Sequence, residues 1–266
     1  EKHWKYFVNP VPYKDVALCF SAQTRDFCNT EKARTHVREF IAWGEILVSR
    51  NVPYDVVIDR AAKDLSAYRM VVVPNVAEIP EEMRKRLKEY VSAGGTLLCA
   101  GESGFAWDNQ NVFFDAQGQP EKKGGSDSYI SLLDGKLINT LKTRRIPYAG
   151  PINAIQGINQ ANTRKLASFA GKLCLVDKKY GKGRVYYLSL PAAVYSYVGG
   201  VRKDRPFGLH KSWLDKKAET GDFLGCFVRD YIPGGRMKFK NIPEGVIILP
   251  VCHHDGDRRW LNLHFI

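Results

Sequence analysis

Four short β-compatible runs, Val16-Ala-Leu-Cys-Phe20, Tyr54-Asp-Val-Val-Ile58, Met70-Val-Val-Val-Pro74 and Thr96-Leu-Leu-Cys-Ala100, are spaced so that helices fit between them. Alternating strands and helices bury their apolar faces together most simply when the strands lie side by side in one sheet with helices packed on it. Asn29 or Thr30 can cap the first long helix, in which Val37, Phe40, Ile41, Ile46, Leu47 and Val48 recur at helical spacing as far as Asn51. The residues before it, Ser21 to Thr30, read as a polar loop. Met70 to Pro74 shows no polar alternation, as expected of a parallel strand covered on both faces. Pro80-Glu81-Glu82 suits the positive end of a second helix, whose inward stripe is Met83, Leu87, Tyr90 and Val91 and whose stop is Gly94-Gly95. The expected fold is therefore α/β, with a doubly wound and mostly parallel sheet. Ligands of such a sheet sit beyond the carboxyl ends of its strands, here the loops after Phe20, Ile58, Pro74 and Ala100.

The pattern weakens from Gly101 to about Pro151, a Gly-rich stretch holding Phe105, Trp107, Phe113 and Phe114. Long irregular segments in compact domains are functional or mobile. Order returns with Lys172 to Val176 and Arg184 to Leu190, a hairpin about a Lys-Lys-Tyr-Gly-Lys-Gly turn, and then a helix with Phe223, Phe227, Val228 and Tyr231 on its apolar side. Beyond Gly234-Gly235 the period becomes two, so Met237 to Phe239, Val246 to Cys252 and Trp260 to Phe265 read as short antiparallel strands. The expected organisation is a linker over residues 1–15, an α/β domain over 16–233 and a small C-terminal antiparallel β appendage over 234–266. The opening residues carry no Met and reach the first strand late, which suggests a piece cut from a longer protein.

At 266 residues and 44% hydrophobic the chain can fill a sizeable core. No apolar run approaches the roughly 20 residues that span a bilayer, and Glu1 to Lys5 lacks a signal pattern, so a soluble piece without membrane contact is expected. Its compartment, cytoplasmic or periplasmic and secreted, depends on what precedes it. The six cysteines are scattered, without a CxxC pair, and suit buried thiols better than a disulfide framework. Charge is uneven: residues 136–245 hold 21 Lys and Arg against 7 Asp and Glu. These cations form no dense block, so solvated faces are expected and nucleic acid is not; a polyanion-binding module is the outlying alternative.

The turn Ala100-Gly101-Glu102-Ser103-Gly104 matches the small-x-nucleophile-x-small frame of a strand-to-helix nucleophile turn, with a carboxylate where Cys or Ser would stand. Glu102 could accept backbone N–H groups or act as a general base, but it is poorly suited to attack an amide. Cys99 lies four residues after Gly95, inside the strand, where a structural thiol is expected. No catalytic residue is therefore assigned, with Glu102 and Cys99 as the candidates an independent amidotransferase-like or peptidase-like hydrolase would need. His253 and His254, followed by Asp255 and Asp257, invite a metal; adjacent strand residues point to opposite faces, so no metal site is expected. Phe105, Trp107, Phe113 and Phe114, on a loop near the carboxyl edge of the sheet, are the candidates for stacking on sugar or a partner surface, against the alternative that the loop folds them inward.

Three segments carry a resemblance: Asn51-Val-Pro-Tyr-Asp-Val-Val-Ile58, Leu65-Ser-Ala-Tyr-Arg-Met-Val-Val-Val-Pro74 and Tyr90-Val-Ser-Ala-Gly-Gly-Thr-Leu97. Together they resemble the trimerisation domain of family 42 β-galactosidases. Gly181-Lys-Gly-Arg-Val-Tyr-Tyr-Leu188 continues the match, and Trp260-Leu-Asn-Leu-His-Phe265 is similar to a strand of the small β domain that follows there. The resemblance implies a flavodoxin-like fold of the class I glutamine amidotransferase type, without cofactor. It implies a non-catalytic scaffold that associates subunits and helps wall the active site of an upstream (β/α)8 barrel, where the catalytic glutamates reside. The implied partners are that barrel, further copies of the chain and, through the parent enzyme, carbohydrate. The Cys of an active amidotransferase turn, with its downstream His-Glu pair, is missing from the Ala100 to Gly104 frame.

Overall fold

The computed structural model describes residues 11–61, 64–104, 107, 113, 121–124, 129–148, 151–154, 163–192, 219–233, 241, 246, 248–255 and 258–265. In chain order its first elements are β1 (Val11–Pro12), β2 (Val16–Phe20), α1 (Ala22–Phe27), α2 (Thr30–Ser49), β3 (Tyr54–Ile58), β4 (Met70–Pro74), α3 (Glu81–Ser92) and β5 (Thr96–Ala100). There follow β6 (Glu121–Gly124), β7 (Tyr129–Leu132), α4 (Gly135–Leu141), β8 (Arg145–Pro147), β9 (Pro151–Ala154), β10 (Thr163–Phe169), β11 (Lys172–Tyr180) and β12 (Gly183–Leu188). Helix α5 (Glu219–Tyr231) and strands β13 (Ile248–Asp255) and β14 (Arg258–Phe265) complete the described elements.

The main sheet has nine strands in the order β3-β2-β4-β5-β12-β11-β10-β7-β8. All four pairings from β3 to β12 are parallel. All four from β12 to β8 are antiparallel. The expectation of a mostly parallel sheet is corrected on this point: the sheet is mixed, half of each kind. The β11–β12 hairpin causes the change, because β12 lies parallel to β5 on one side and, as the second arm of a hairpin, must run antiparallel to β11 on the other.

Both faces of β2, β4 and β5 are covered. On one face Val16, Leu18, Met70, Val72 and Leu98 pack with Ala42, Trp43, Ile46 and Leu47 of α2 and with Phe223, Phe227 and Val228 of α5. On the other, Ala17, Cys19, Val71, Val73, Leu97 and Cys99 meet Met83, Leu87, Tyr90 and Val91 of α3. Successive residues of each strand enter opposite cores, which explains why these runs lack polar alternation. Each wholly enclosed Leu, such as Leu18, Leu87 or Leu97, contributes about 1.5–3 kcal/mol by leaving water. The hairpin turn is seated on the end of α3: a Cβ at Gly183 would lie 2.2 Å from the carbonyl oxygens of Val91 and Gly95, so only glycine fits. On the antiparallel half, nearly inaccessible Asp177 accepts hydrogen bonds from Arg164 on β10 (2.7 and 3.1 Å) and Arg184 on β12 (2.8 Å), tying three adjacent strands together.

Strands β1, β13 and β14 form a separate antiparallel sheet in the order β1-β13-β14. Residues 11–12, within the stretch read as linker, thus supply its third strand. Asn51, at positive φ just past α2, fixes this sheet to the body: its Oδ1 accepts the Ile248 N–H at 2.6 Å and its Nδ2 donates to the Val246 carbonyl at 3.3 Å. The expected strand at Met237 to Phe239 lies outside the described residues.

Candidate functional site

The strand order reverses at β2, with β3 on one side and β4 on the other. Beyond their carboxyl ends the buried side chains of Ser21, His36 and Asp59 form a frame with the backbone of Glu78. The Ser21 N–H donates to His36 Nε2 at 2.9 Å, which leaves Nδ1 as the protonated nitrogen facing the Pro74 carbonyl at 2.9 Å. Desolvation depresses the His36 pKa below its ordinary 6.5, partly offset by the Pro74 carbonyl and the charge of Asp59. Asp59 accepts the N–H groups of Ala22 and Gln23, both at 3.2 Å, so a carboxylate faces the start of α1. Ser21 Oγ lies 2.7 Å from both Asp59 Oδ2 and the Glu78 carbonyl and accepts the Thr24 N–H at 2.9 Å, while Thr24 Oγ1 also bonds the Glu78 carbonyl at 2.7 Å. Ser, His and Asp are present, but the imidazole touches the serine's backbone and not its hydroxyl, so the Ser-His relay of a nucleophilic triad is not formed. This frame ties the loops after β2, β3 and β4 together. Its sequence signal was the N-cap Ser21-Ala-Gln-Thr24, which begins α1 inside the stretch read as a polar loop.

The turn after β5 is closed in the same manner. Gly101, at φ +65, donates its N–H to the Leu188 carbonyl at 3.0 Å and accepts the Tyr187 hydroxyl; a Cβ there would sit 2.1 Å from Asn75 Oδ1. The Glu102 N–H donates to Asn75 Oδ1 at 3.1 Å and the Ser103 N–H to the Ala100 carbonyl at 3.2 Å. The amides of Gly101, Glu102 and Ser103 are thus already engaged within the fold. The Glu102 carboxylate lies 4.0 Å from Lys32 Nζ. Cys99 is buried within β5, and desolvation raises its pKa far above the ordinary thiol range, so it carries no thiolate at neutral pH.

Of the four loop aromatics, Trp107 and Phe113 belong to the α3-side core. The Trp107 indole N–H donates to the Val76 carbonyl at 3.0 Å, and Phe113 packs edge-on to Tyr180 with ring centroids 5.3 Å apart. In this conformation neither presents a ring to a ligand. Phe105, Phe114 and Asp257 lie outside the described residues, and so do the side chains of His253, His254 and Asp255.

A cleft of about 540 Å³ lies beside the frame, lined by Gln23, Phe27, Cys28, Asn29, Lys32, Arg60 and Glu78. Phe27 is 73% exposed and has the Arg60 guanidinium 5.0 Å from its ring centre. Sequence reasoning placed the loops but missed these residues, because none belongs to a spaced motif.

Comparison with known proteins gives a consistent result. Residues 14–197 match the family model described as "Beta-galactosidase trimerisation domain". The β-galactosidase LacA of Lactobacillus acidophilus is 26% identical over 146 residues, which are 52% of this chain and 21% of that protein, so the chain matches about a fifth of its curated relative's length. Among solved structures, a β-galactosidase from Bacillus circulans sp. alkalophilus superposes with a TM-score of 0.62 at 16% identity, over 97% of this chain and 36% of that one. The α-L-fucosidase isoenzyme 2 of Paenibacillus thiaminolyticus superposes with a TM-score of 0.67 at 14% identity, over 99% and 39%.

Proposed function

Because the chain belongs to the β-galactosidase trimerisation domain family, we propose that it is the non-catalytic scaffold of a glycoside hydrolase, associating subunits beside a catalytic (β/α)8 barrel and helping to wall that barrel's pocket. The observation that carries this reading is the turn after β5, where the nucleophile position holds Glu102, the amides are engaged, and the nearest thiol is buried. Incubated with a nitrophenyl galactoside, the purified chain is expected to release no nitrophenol; turnover that survives repurification would overturn the scaffold reading. Sedimentation of the parent enzyme with and without this region is expected to show loss of assembly in the truncated form.

The finer fold assignment is part of the same proposal. With α2 on one face of the parallel strands and α3 on the other, we read that half as the remnant of a doubly wound, flavodoxin-like and amidotransferase-like core, over 16–233, with 234–266 as the β appendage. The segment from Phe105 to about residue 118 would then border the neighbouring pocket. Buried Trp107 and Phe113 anchor it, which leaves Phe105 and Phe114 as the sugar- or partner-facing candidates.

A further inference from the structure

We propose that the cleft beyond β2, β3 and β4 binds a neutral mono- or disaccharide, with Phe27 as its stacking platform. This goes beyond the scaffold role and does not depend on it. Three observations converge. The cleft sits where the strand order reverses, the position at which the splayed loops of an open α/β sheet leave room for a ligand. Its volume, about 540 Å³, falls within the range of small-molecule sites. Its lining combines one exposed aromatic ring with the long planar polar side chains Gln23, Asn29, Arg60 and Glu78. An aromatic face takes the C–H face of a sugar ring, and planar amide, carboxylate and guanidinium groups match its hydroxyls.

Charge selects among ligands of that size. Lys32 and Arg60 are balanced by Glu78 on the cleft wall and by Glu102, whose carboxylate lies 4.0 Å from Lys32. A balanced site favours neither a phosphate nor a metal cation, whereas a polyol can donate to the Glu78 carboxylate and accept from Lys32 and Arg60. The cleft is also held ready. The Glu78 backbone is fixed by Ser21 and by Thr24, whose Oγ1 accepts the Glu78 N–H at 2.9 Å. Asn29 Oδ1 accepts the Lys32 N–H at 3.0 Å, which orients the Asn29 amide and leaves its NH2 for a ligand. Arg60 stacks on Phe27, steadying a ring that would otherwise turn freely in water.

Cys28 lines the cleft and reports on its occupancy. The 266-residue chain is treated with iodoacetamide near pH 8.5 with and without lactose, and alkylation of Cys28 and Cys226 is followed by peptide mass spectrometry. At a lactose concentration about four times its Kd, Cys28 is expected to react about fivefold more slowly, since only the unoccupied fraction is open. Cys226, on α5, keeps its rate. Phe27→Ala, made at a position 73% exposed and outside both cores, is expected to abolish the protection while leaving the thermal unfolding midpoint in place. Absence of protection in the native chain, or equal protection in the Phe27→Ala chain, overturns the proposal. So does protection by inorganic phosphate without protection by lactose, which would mark an anion site.

Discussion

Ser103 is fully buried, and its hydroxyl does two things at once, donating to the Val73 carbonyl at 2.8 Å and accepting the Val76 N–H at 2.7 Å. It thereby joins the turn after β5 to the end of β4. Ser103→Ala strands a buried amide, and the expected loss is about 1–3 kcal/mol, read as a lower urea midpoint. His36 makes a prediction of different form. Its folded-state pKa lies below the ordinary 6.5 because burial disfavours the imidazolium. The unfolded chain therefore takes up the proton first, so the contribution of neutral His36 to stability is complete above pH 6.5 and is lost as pH falls below it. Denaturation midpoints across that range should decline on acidification, and His36→Gln should have a shallower decline; identical slopes in the two chains would count against the assignment. Neither side chain declares itself in the sequence, because each is defined by what lies 15 to 38 residues away in the chain.

Strands β2, β4 and β5 were legible because their chemistry is redundant: both faces are buried, so each run is almost wholly apolar. The antiparallel half was harder to read. In β10 the burial pattern along Thr163 to Phe169 does not alternate, since register shifts between Lys165 and Ala167 and between Ala167 and Ser168 break the period of two. Helix α4 spans only Gly135 to Leu141 and was lost in the stretch read as irregular, although Asp134 caps it by accepting the Lys136 and Leu137 N–H groups. The cleft was invisible for a related reason: it gathers residues from α1, α2 and the loops after β3 and β4, and no spacing rule unites them. The smaller sheet offers a test at this scale. Without β1 the β13–β14 pair is a lone hairpin, a unit marginal in water. Removal of residues 1–12 should speed amide exchange in Ile248–Asp255 while leaving protection in β2, β4 and β5 unchanged, and Asn51→Ala should do the same more weakly through the loss of its paired hydrogen bonds.

Across the whole molecule the two halves differ in charge as well as in strand direction. Residues 129–192 hold 11 Lys and Arg against 2 Asp and Glu, whereas residues 11–104 hold 13 of each. The excess charge thus sits on the hairpin half, away from the cleft. The halves meet at one pairing, β5 with β12, five residues in register from Thr96–Arg184 to Ala100–Leu188. That single seam has a consequence for synthesis. As the chain leaves the ribosome, β5 emerges as the bare rim of an unfinished sheet, and its partner follows only after some 84 further residues. At roughly 5–20 residues per second the wait is about 4–17 s, during which Thr96-Leu-Leu-Cys-Ala100 offers unpaired amides on an apolar strand. Chains terminated before Gly183 should be recovered as aggregates or bound to chaperones, and chains that include Leu188 should be recovered soluble, as a pelleting assay on nested truncations would show. The nascent protein is most at risk at a strand that, once its partner arrives, is buried along its whole length.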